Sequence, residues 1–445
     1  MRILILCILI LFIFTGISYG ELWTVTNNPS SGVEPARSIT SDNDYLYIAG
    51  DDYSPGNTQW RIEKRSKSTG ALIWVQTSNP SSGTDTVRSI TSDNDYLYIA
   101  GDDYSPGNNQ CRVEKRFKST GALIWAQTNS GSFGVAAYSI TSDNDYLYIS
   151  GYSLTPSFHW HIEKRFKSTG ALIWVQTNNP ASGFMWTAYS ITSDNDYLYI
   201  AGYNRVPGDE QWYIEKRFKS TGALIWAQAN NYSSSIPGND WPYSITSDND
   251  YLYIAGYNRV PGDWQWCIEK RFKSTGALIW VQTSNPSSTA TYEAAYSITS
   301  DNDYLYIAGA DYSPALSPKW RIEKRFKSTG ALRWVQTNSD SFGDGAYSIT
   351  SDNDYLYIAG FDYSPGNTQW RIEKCFKFFI DIGLRAYDGT NVVAIACEPE
   401  GAANSALRIG KDNKVYGVAL VELANPDASK VRIKAPSGIK ALRRF

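Results

Sequence analysis

Few residues of this 445-residue sequence combine a reactive side chain with a spacing that would support catalysis or metal binding. It has only two histidines, His159 and His161, two residues apart in a segment predicted to be a strand. Side chains two apart share one face of a strand, which would present two metal ligands together. No third ligand is apparent, and another copy of the segment has Gln59 and Arg61 at these positions. Drift between copies therefore explains the histidines better than a metal site.

The other motifs that could carry chemistry are weak or absent. Asp42 and Asp44 lie in a recurring SDND turn and could ligate calcium, but the glycine and distal glutamate of an EF-hand loop are missing. The sequence has no GxSxG motif, phosphate-binding loop or zinc spacing. Scarce histidine also argues against most His-dependent acid–base chemistry. We therefore expect a non-enzymatic protein with no catalytic residue, no metal site and no cofactor.

Charge and composition narrow the class of protein further. The 41 Lys and Arg against 44 Asp and Glu give a formal net charge of -3, which favours neither nucleic acid nor an anionic membrane as partner. Aromatic residues make up 14% of the chain, with 32 Tyr and 16 Trp, which is typical of a β-rich protein. We expect strands throughout and no nucleic-acid partner.

An internal repeat is the strongest signal in the sequence. The string ITSDNDYLYI occurs seven times unchanged at spacings of 50 to 54 residues, which predicts a stacked or radial repeat protein. The serine before it falls at Ser38, Ser89, Ser139, Ser190, Ser244, Ser297 and Ser348. Each unit is predicted to hold four short strands, which in the first unit are Ser38 to Thr40, Tyr45 to Ala49, Trp60 to Lys67 and Ala71 to Thr77. SDND and STG segments supply the hairpin turns between them.

Two features favour a closed ring of blades over a linear β-solenoid, which is the competing prediction. The second strand is apolar on both faces, as expected for a small sheet between two neighbours. The fourth-strand tryptophan of the GALIW motif occurs only six times, whereas Trp23 lies 51 residues before Trp74 in a similar segment. The N-terminal strand therefore completes the last unit. We predict an all-β fold, a seven-bladed β-propeller closed by N- and C-terminal strands and followed by a small C-terminal β domain.

The charged pair in each third strand has a structural explanation. Glu63 and Lys64 recur in all seven units as adjacent residues whose side chains leave opposite faces of the strand. We expect them to pair between neighbouring strands or blades, with Trp60 and Ile62 burying the rest of the strand. A functional ring of fourteen charges is the less favoured alternative, because a binding site rarely needs seven equal copies.

The two ends of the chain differ from the repeats. Residues 1–20 resemble a secretory signal peptide, so we expect a secreted, periplasmic or cell-surface protein without a membrane span in the mature chain. The propeller is predicted over residues 21–377 and a small β domain of unknown type over 378–445, with strands from Asn391 to Cys397, Lys414 to Leu423 and Lys430 to Lys434. Cys375 and Cys397 could form a disulfide, which an exported protein permits.

These motifs resemble a known repeat. YSITSDNDYLYIAG followed by WRIEKRFKSTGALIWVQT is similar to the SBBP (seven-bladed β-propeller) repeat of bacteria and archaea, over residues 21 to about 377. That resemblance implies a propeller in an exported or surface protein, without a shared known activity. TGALIW is also similar to the repeat of quinoprotein-like propellers. This weaker similarity implies blade packing and not quinone chemistry, because the chain has seven units, not eight, and no vicinal cysteine pair.

One face of the predicted propeller varies between copies. The TSDND and KSTG turns of the other face are constant wherever they occur, whereas the loops between blades and between second and third strands differ. Exposed aromatic side chains on such loops are typical of a binding surface for a glycan or protein, although neutral drift explains the variation equally well. The candidate binding residues are Phe133, Phe184, Trp186, Tyr232, Trp241, Trp264 and Tyr292.

Three classes of function follow from these observations. The leading hypothesis is an exported non-enzymatic binding or scaffold protein that recognises a glycan or protein through the variable loop face. The alternatives are a polysaccharide-acting enzyme, a lyase or glycosidase that uses loop carboxylates such as Asp209 and Asp263, and a structural surface component. The sequence leaves the ligand and the oligomeric state open.

Overall fold

The structure is a computed structural model, and every regular element among its described residues is a β-strand. It describes residues 21–377 except 29–31, 33, 55, 80–82, 105–108, 130–133, 155–158, 179–186, 207–208, 231, 233–238, 261–262, 286–292, 313–317, 338–342 and 364–366, and it also describes 384–387 and 392–395. The predicted signal peptide, residues 1–20, lies outside the described residues.

Seven four-stranded antiparallel sheets form the blades. Blades 1 to 6 are β2–β5, β6–β9, β10–β13, β14–β17, β18–β21 and β22–β25, each in chain order, and blade 7 has the order β26-β27-β28-β1. The strands are β1 (Glu21–Asn27), β2 (Ala36–Ser41), β3 (Tyr45–Asp52), β4 (Gln59–Ser66), β5 (Leu72–Ser78), β6 (Thr86–Ser92), β7 (Tyr96–Asp103), β8 (Gln110–Phe117), β9 (Leu123–Asn129), β10 (Val135–Ser142), β11 (Tyr146–Ser153), β12 (His159–Phe166), β13 (Leu172–Asn178), β14 (Thr187–Ser193), β15 (Tyr197–Val206), β16 (Asp209–Phe218), β17 (Leu224–Asn230), β18 (Trp241–Ser247), β19 (Tyr251–Val260), β20 (Asp263–Phe272), β21 (Leu278–Ser284), β22 (Ala294–Ser300), β23 (Tyr304–Asp311), β24 (Lys319–Phe326), β25 (Leu332–Thr337), β26 (Gly345–Ser351), β27 (Tyr355–Asp362), β28 (Gln369–Phe376), β29 (Leu384–Tyr387) and β30 (Val392–Ile395).

The blades form a closed ring, which confirms the predicted seven-bladed propeller. The inner strands contact each other from blade 1 to blade 7, and those of blades 7 and 1, β26 and β2, are also in contact. At this closure Ile39 N–H of blade 1 donates to Ser348 Oγ of blade 7 at 3.2 Å. Ile90 N–H of blade 2 makes the equivalent bond to Ser38 Oγ of blade 1. The N-terminal strand β1 is the outer strand of blade 7, as its sequence predicts.

The chain separates into two compact units. One unit, Trp23–Lys374, contains the propeller. The other comprises Met1–Leu22 and Cys375–Phe445, and within its C-terminal part β29 and β30 pair antiparallel. Strand β30 lies within the predicted segment Asn391 to Cys397. The two later predicted strands and Cys397 lie outside the described residues, so the disulfide with Cys375 stays a prediction.

Local sequence explains the hairpins of each blade. Asp42 Oδ1 accepts the N–H groups of Asp44 at 3.1 Å and Tyr45 at 2.9 Å, which closes the turn between β2 and β3. Gly70 adopts a φ of 73° in the turn before β5, a left-handed conformation that favours glycine. Between these turns the whole of β3 after Tyr45 is buried, as expected for a strand covered on both faces.

A third-strand tryptophan packs each blade against the next in all blades but the second. Trp60 is fully buried, and its Nε1 donates to the Asp102 carbonyl of blade 2 at 3.2 Å. It lies against Gly101 of that blade, where an added Cβ would be 2.9 Å from Trp60 Cζ2. Trp370 makes the same bond to the Asp51 carbonyl at 2.9 Å across the ring closure. Cys111 occupies the position in blade 2 and is buried.

Charged side chains also join the blades. Lys118 of blade 2 contacts Asp42 Oδ2 of blade 1 at 2.8 Å, and Lys67 contacts Asp352 across the ring closure at 2.8 Å. Lys64 Nζ lies 3.8 Å from the centre of the Tyr45 ring and donates to the Lys118 carbonyl of the next blade. Each of these three lysines therefore has a partner in its own blade or an adjacent one.

The repeated glutamate is buried with arginine partners. Glu63 is fully buried and accepts from Arg61 Nε at 2.8 Å, from Arg65 Nε at 2.6 Å and from Asn27 Nδ2 of blade 7 at 2.8 Å. The structural explanation predicted for the Glu63–Lys64 pair is confirmed, since both side chains serve contacts within and between blades.

Trp60→Ala is expected to lower the free energy of unfolding by about 3–5 kcal/mol, because it opens a cavity between two blades and removes a buried hydrogen bond. The matched control is Cys111→Ala at the same position of blade 2. It removes one sulfur atom and is expected to cost about 1 kcal/mol. Guanidinium unfolding of both variants measures the change in unfolding free energy. An equal loss of stability in the two would contradict a special role for the Trp60 indole.

The stability of the chain is expected to depend on pH in two opposite ways. Burial disfavours the charged form of Asp42, but hydrogen bonds from Lys118, Tyr47 and Tyr45 outweigh it and hold the pKa below its ordinary 3.8. The pKa values of Asp93, Asp143, Asp194, Asp248 and Asp352 are lowered in the same way. As the pH falls below 3.8, the unfolded chain takes up protons that the folded chain does not, so the unfolding free energy should fall steeply.

Asp344 has the opposite effect. Burial raises its pKa to about 7, so between that pH and its ordinary 3.8 only the folded chain holds this proton. Burial also raises the pKa of Asp102, which acts in the same direction. The unfolding free energy should therefore rise modestly as the pH falls from 7 towards 4, and Asp344→Asn should reduce this rise but keep the steep loss. Urea unfolding at pH 7, 5, 4 and 3 measures both effects. An unchanged unfolding free energy between pH 4 and pH 3 would contradict the steep loss expected from Asp42 and its five counterparts.

Candidate functional site

One repeated position of the inner strands lines a cavity at the centre of the ring. It is the residue directly before each Ser-Ile-Thr, and we call the seven side chains the channel ring. They enclose a cavity of about 250 Å³. The members of the channel ring are Arg37, Arg88, Tyr138, Tyr189, Tyr243, Tyr296 and Tyr347.

A β-bulge places each of these side chains. In blade 1, Ala36 pairs with Gly50 and Ser38 with Ala49, which leaves Arg37 as the extra residue between them. The other six inner strands shift register at the same point. A bulge re-aims the extra side chain and is frequent beside functional sites. The position lies near the start of the inner strand, so the channel ring is nearer the variable loop face than the constant SDND turns.

The two arginines are held from behind by buried aspartates. Arg37 Nε donates to Asp51 Oδ2 at 2.7 Å, and Arg88 Nε and Nη2 both donate to Asp102 Oδ2 at 3.1 Å. The arginine side chains are 28% and 27% exposed, whereas those of the aspartates are 4% and 5% exposed. The arginine of each pair therefore faces the cavity, and the aspartate is buried behind it.

The five tyrosines form a continuous aromatic arc from blade 3 to blade 7. Ring centroids of neighbouring tyrosines lie 5.1–5.2 Å apart in all four pairs. The guanidinium of Arg88 lies 4.8 Å from the ring centre of Tyr138, which joins the arc to the arginines. Burial raises the pKa of all five phenols, so they stay protonated at neutral pH.

A second position changes together with the channel ring. It follows the repeated glycine of the second strand and lies behind the channel ring. It is aspartate in the two blades with a channel arginine and aromatic or alanine in the five with a channel tyrosine. Tyr189, for example, stacks on Tyr203 with ring centroids 5.8 Å apart. The residues at this position are Asp51, Asp102, Tyr152, Tyr203, Tyr257, Ala310 and Phe361.

Of the predicted binding residues, the structure connects Trp241 with the channel ring. Its indole stacks on Tyr203 at 5.2 Å and 20°, and it lies 5.9 Å from Tyr189. Its Nε1 donates to Glu210 Oε2 at 2.6 Å. Glu210 belongs to β16, which with β15 forms a hairpin longer than those of blades 1 to 3. The extended hairpin of blade 4 thus anchors the tryptophan beside the cavity mouth.

Two other predicted residues serve local contacts. Tyr232 packs edge-on against Trp212 at 5.8 Å in the interface of blades 4 and 5. Trp264 lies 4.7 Å from the guanidinium of Arg259 in its own hairpin. Neither lines the cavity. The remaining four, Phe133, Phe184, Trp186 and Tyr292, lie outside the described residues.

The residues singled out for chemistry have structural partners or fall outside the description. His161 is buried against Glu163, with Nε2 to Oε2 3.2 Å, where four of the other six blades have arginine. Across the described residues, no group of three or more His, Cys, Asp or Glu side chains could hold a metal ion. Asp209 and Asp263 lie in described strands, but their side chains are outside the description. In the same part of the chain, no helix is long and apolar enough to cross a membrane.

The channel ring was missed from the sequence, although it left a signal there. The residue two places before each ITSDNDYLYI string is arginine in two copies and tyrosine in five. Each of these residues directly follows a variable loop, so the sequence alone groups it with the loop. A search for positions restricted to two residue types would have found the ring.

Comparisons with known proteins agree with the fold alone. No protein-family model and no curated protein sequence matches the chain. The WD40 β-propeller domain of Doa1 aligns with a TM-score of 0.51 and 12% identity, over 82% of this chain and 98% of that chain. Hydrazine synthase of Kuenenia stuttgartiensis aligns with a TM-score of 0.51 and 11% identity, over 80% of this chain and 98% of that chain. A quinohemoprotein alcohol dehydrogenase from Pseudomonas putida aligns with a TM-score of 0.50 and 12% identity, over 80% of this chain and 76% of that chain. At these identities, the shared feature is the β-propeller fold.

Arg37→Gln is expected to lower the unfolding free energy by about 2 kcal/mol or more, because it leaves the Asp51 carboxylate buried without its cation. The double variant Arg37→Tyr with Asp51→Tyr recreates the Tyr189–Tyr203 pair of blade 4 and should lose less than half as much. Chemical unfolding of the wild type and both variants measures the difference. A double variant less stable than the single one would contradict the expected compensation by the tyrosine pair.

Proposed function

We propose that this protein is an exported, non-enzymatic binding protein that recognises a glycan or protein ligand on its variable loop face, centred on the channel ring. The observation that carries the proposal is the convergence of seven bulged side chains on one cavity of about 250 Å³. A concave site with a few polar groups on a rigid scaffold is the usual form of a ligand site.

The residue at the channel position varies together with the residue behind it, which independent drift at each position does not explain. Drift would change the channel position and the position behind it independently. Instead, arginine occurs with aspartate in blades 1 and 2, and tyrosine occurs with an aromatic residue or alanine in the other five. The Arg37–Asp51 contact of 2.6 Å shows the physical reason, since a guanidinium facing the cavity needs a buried counter-charge.

The chemistry of the cavity supports binding over catalysis. Its lining offers guanidinium groups and protonated phenols, and the carboxylates of Asp51 and Asp102 are buried behind the arginines. A glycosidase needs two carboxylates that face one substrate bond, about 5–10 Å apart. The polysaccharide-acting enzyme is therefore the less supported alternative, and its candidates Asp209 and Asp263 have no described side chains.

Export and family membership belong to the same proposal. The N-terminal segment resembling a signal peptide supports a secreted, periplasmic or cell-surface location. Membership of the SBBP repeat family rests on the quoted repeat motifs. A protein that meets glycans or other proteins outside the cell fits a rigid repeated frame with one variable face.

A glycan-array and cell-surface binding screen of the full chain tests the proposal, with Trp241→Ala as the diagnostic variant. We expect a saturable ligand whose affinity falls by about tenfold or more in this variant, because a tryptophan beside the mouth of the site offers the ligand a large aromatic contact surface.

The matched control is Phe272→Ala, which removes a 42% exposed aromatic side chain that packs on Tyr251 beside the constant KSTG turn. It is expected to bind as the wild type does. Loss of affinity in both variants alike, or in neither, would contradict recognition by the variable face. Thermal unfolding of each variant identifies any loss that comes from misfolding.

A further inference from the structure

The channel ring holds hydrogen-bonding groups that the protein does not use. Each guanidinium carries five N–H donors, and only Nε and Nη2 contact an aspartate. Within the described residues, the Nη1 donors of Arg37 and Arg88 have no acceptor. The five tyrosine hydroxyls likewise have no hydrogen-bond partner there. The cavity thus offers donors and amphoteric hydroxyls to a ligand.

Charge is confined to one side of the channel ring. Arg37 and Arg88 belong to adjacent blades whose inner strands β2 and β6 are in contact. The opposite side is formed by Tyr189, Tyr243 and Tyr296 alone. A ligand that fits this arrangement has an anionic group at one end and a body with both apolar and hydroxyl surfaces at the other.

The chemistry of the lining favours a sugar acid among such ligands. A planar guanidinium binds carboxylate or sulfate oxygens through paired N–H donors. Tyrosine combines an apolar ring with a hydroxyl that donates and accepts, which matches the C–H face and hydroxyls of a pyranose. The volume of about 250 Å³ lies below the usual 300–1,000 Å³ or so of small-molecule sites, which suits a single monosaccharide unit.

We propose that the channel ring binds one negatively charged sugar unit, with its carboxylate or sulfate on Arg37 and Arg88 and its ring against the tyrosine arc. This inference rests on the proposed function and names the ligand class of that same site.

The test is calorimetric titration of the full chain with D-galacturonic acid, D-galactose 6-sulfate and neutral D-galactose. We expect at least one acidic sugar to bind about tenfold or more tightly than galactose, because charge-assisted hydrogen bonds act only on the acid. Sodium acetate and sodium sulfate distinguish recognition of the sugar from binding of a free anion. Either salt binding as tightly as the acidic sugar would overturn the inference.

Three variants locate the site. Replacing both charged pairs by tyrosine, as Arg37→Tyr, Asp51→Tyr, Arg88→Tyr and Asp102→Tyr together, should abolish the preference for the acidic sugar. If that protein does not fold, Arg37→Lys with Arg88→Lys keeps both aspartates paired and should weaken only the acidic sugar. Arg333→Ile is the matched control, because it removes an arginine of the outer strand β25 and restores the residue found at Ile73. It should bind as the wild type does.

The remaining outcomes separate this inference from the proposed function. Equal binding of galactose and both acidic sugars, or full preference for the acid in the arginine variants, overturns the inference. If none of these sugars binds, but the screen finds a ligand that depends on Trp241, the inference fails and the proposed function stands. If neither experiment finds a ligand, both fail.

Discussion

Each blade of this protein is a small sheet that must be covered on both faces, and only neighbouring blades can cover it. The second strand shows this requirement most clearly, since β3 is buried from Leu46 to Asp52. A sheet of four short strands has too little core of its own to be stable in water. Closing the ring removes the two exposed faces that a linear stack would leave. The repeated contacts between blades, such as Trp60 against Gly101 and Lys118 with Asp42, all follow from this need.

The ring also explains how a nearly uniform sequence produces one asymmetric site. The frame repeats seven times, so any position on the inner strand is presented to the axis seven times. Two arginines in adjacent blades are enough to make one side of the cavity cationic. Each arginine requires a buried carboxylate behind it, and Asp51 and Asp102 supply it. The seven copies therefore show different pairs of residues at the same two packed positions, and comparison among them identifies residues that depend on each other.

Much of the fold could be predicted from the sequence because period, turn chemistry and burial agree. The SDND turn, the glycine at position 70 and the offset of Trp23 from Trp74 all specify local geometry directly. The site was harder to predict, because the direction of a loop side chain is not a local property. Tyr232 and Trp264 satisfy the sequence criteria for binding residues, yet the structure packs them on Trp212 and Arg259. The channel ring depends on a bulge whose extra residue, such as Arg37, cannot be told from an ordinary strand residue by periodicity.

The position of β1 in blade 7 has a consequence for the order of folding. Trp23 of this strand donates to the Lys67 carbonyl in blade 1 at 3.2 Å, and the strand pairs with β28, more than 300 residues later. During synthesis, the first strand to leave the ribosome has to wait for nearly the whole propeller before its native partner exists. Such a long loop closure is slow and comes late. Meanwhile the third strands β4, β8 and β12 are similar in sequence to β28 and could pair with β1 in its place. Each of these blades is completed by its own outer strand, which keeps β1 from pairing there.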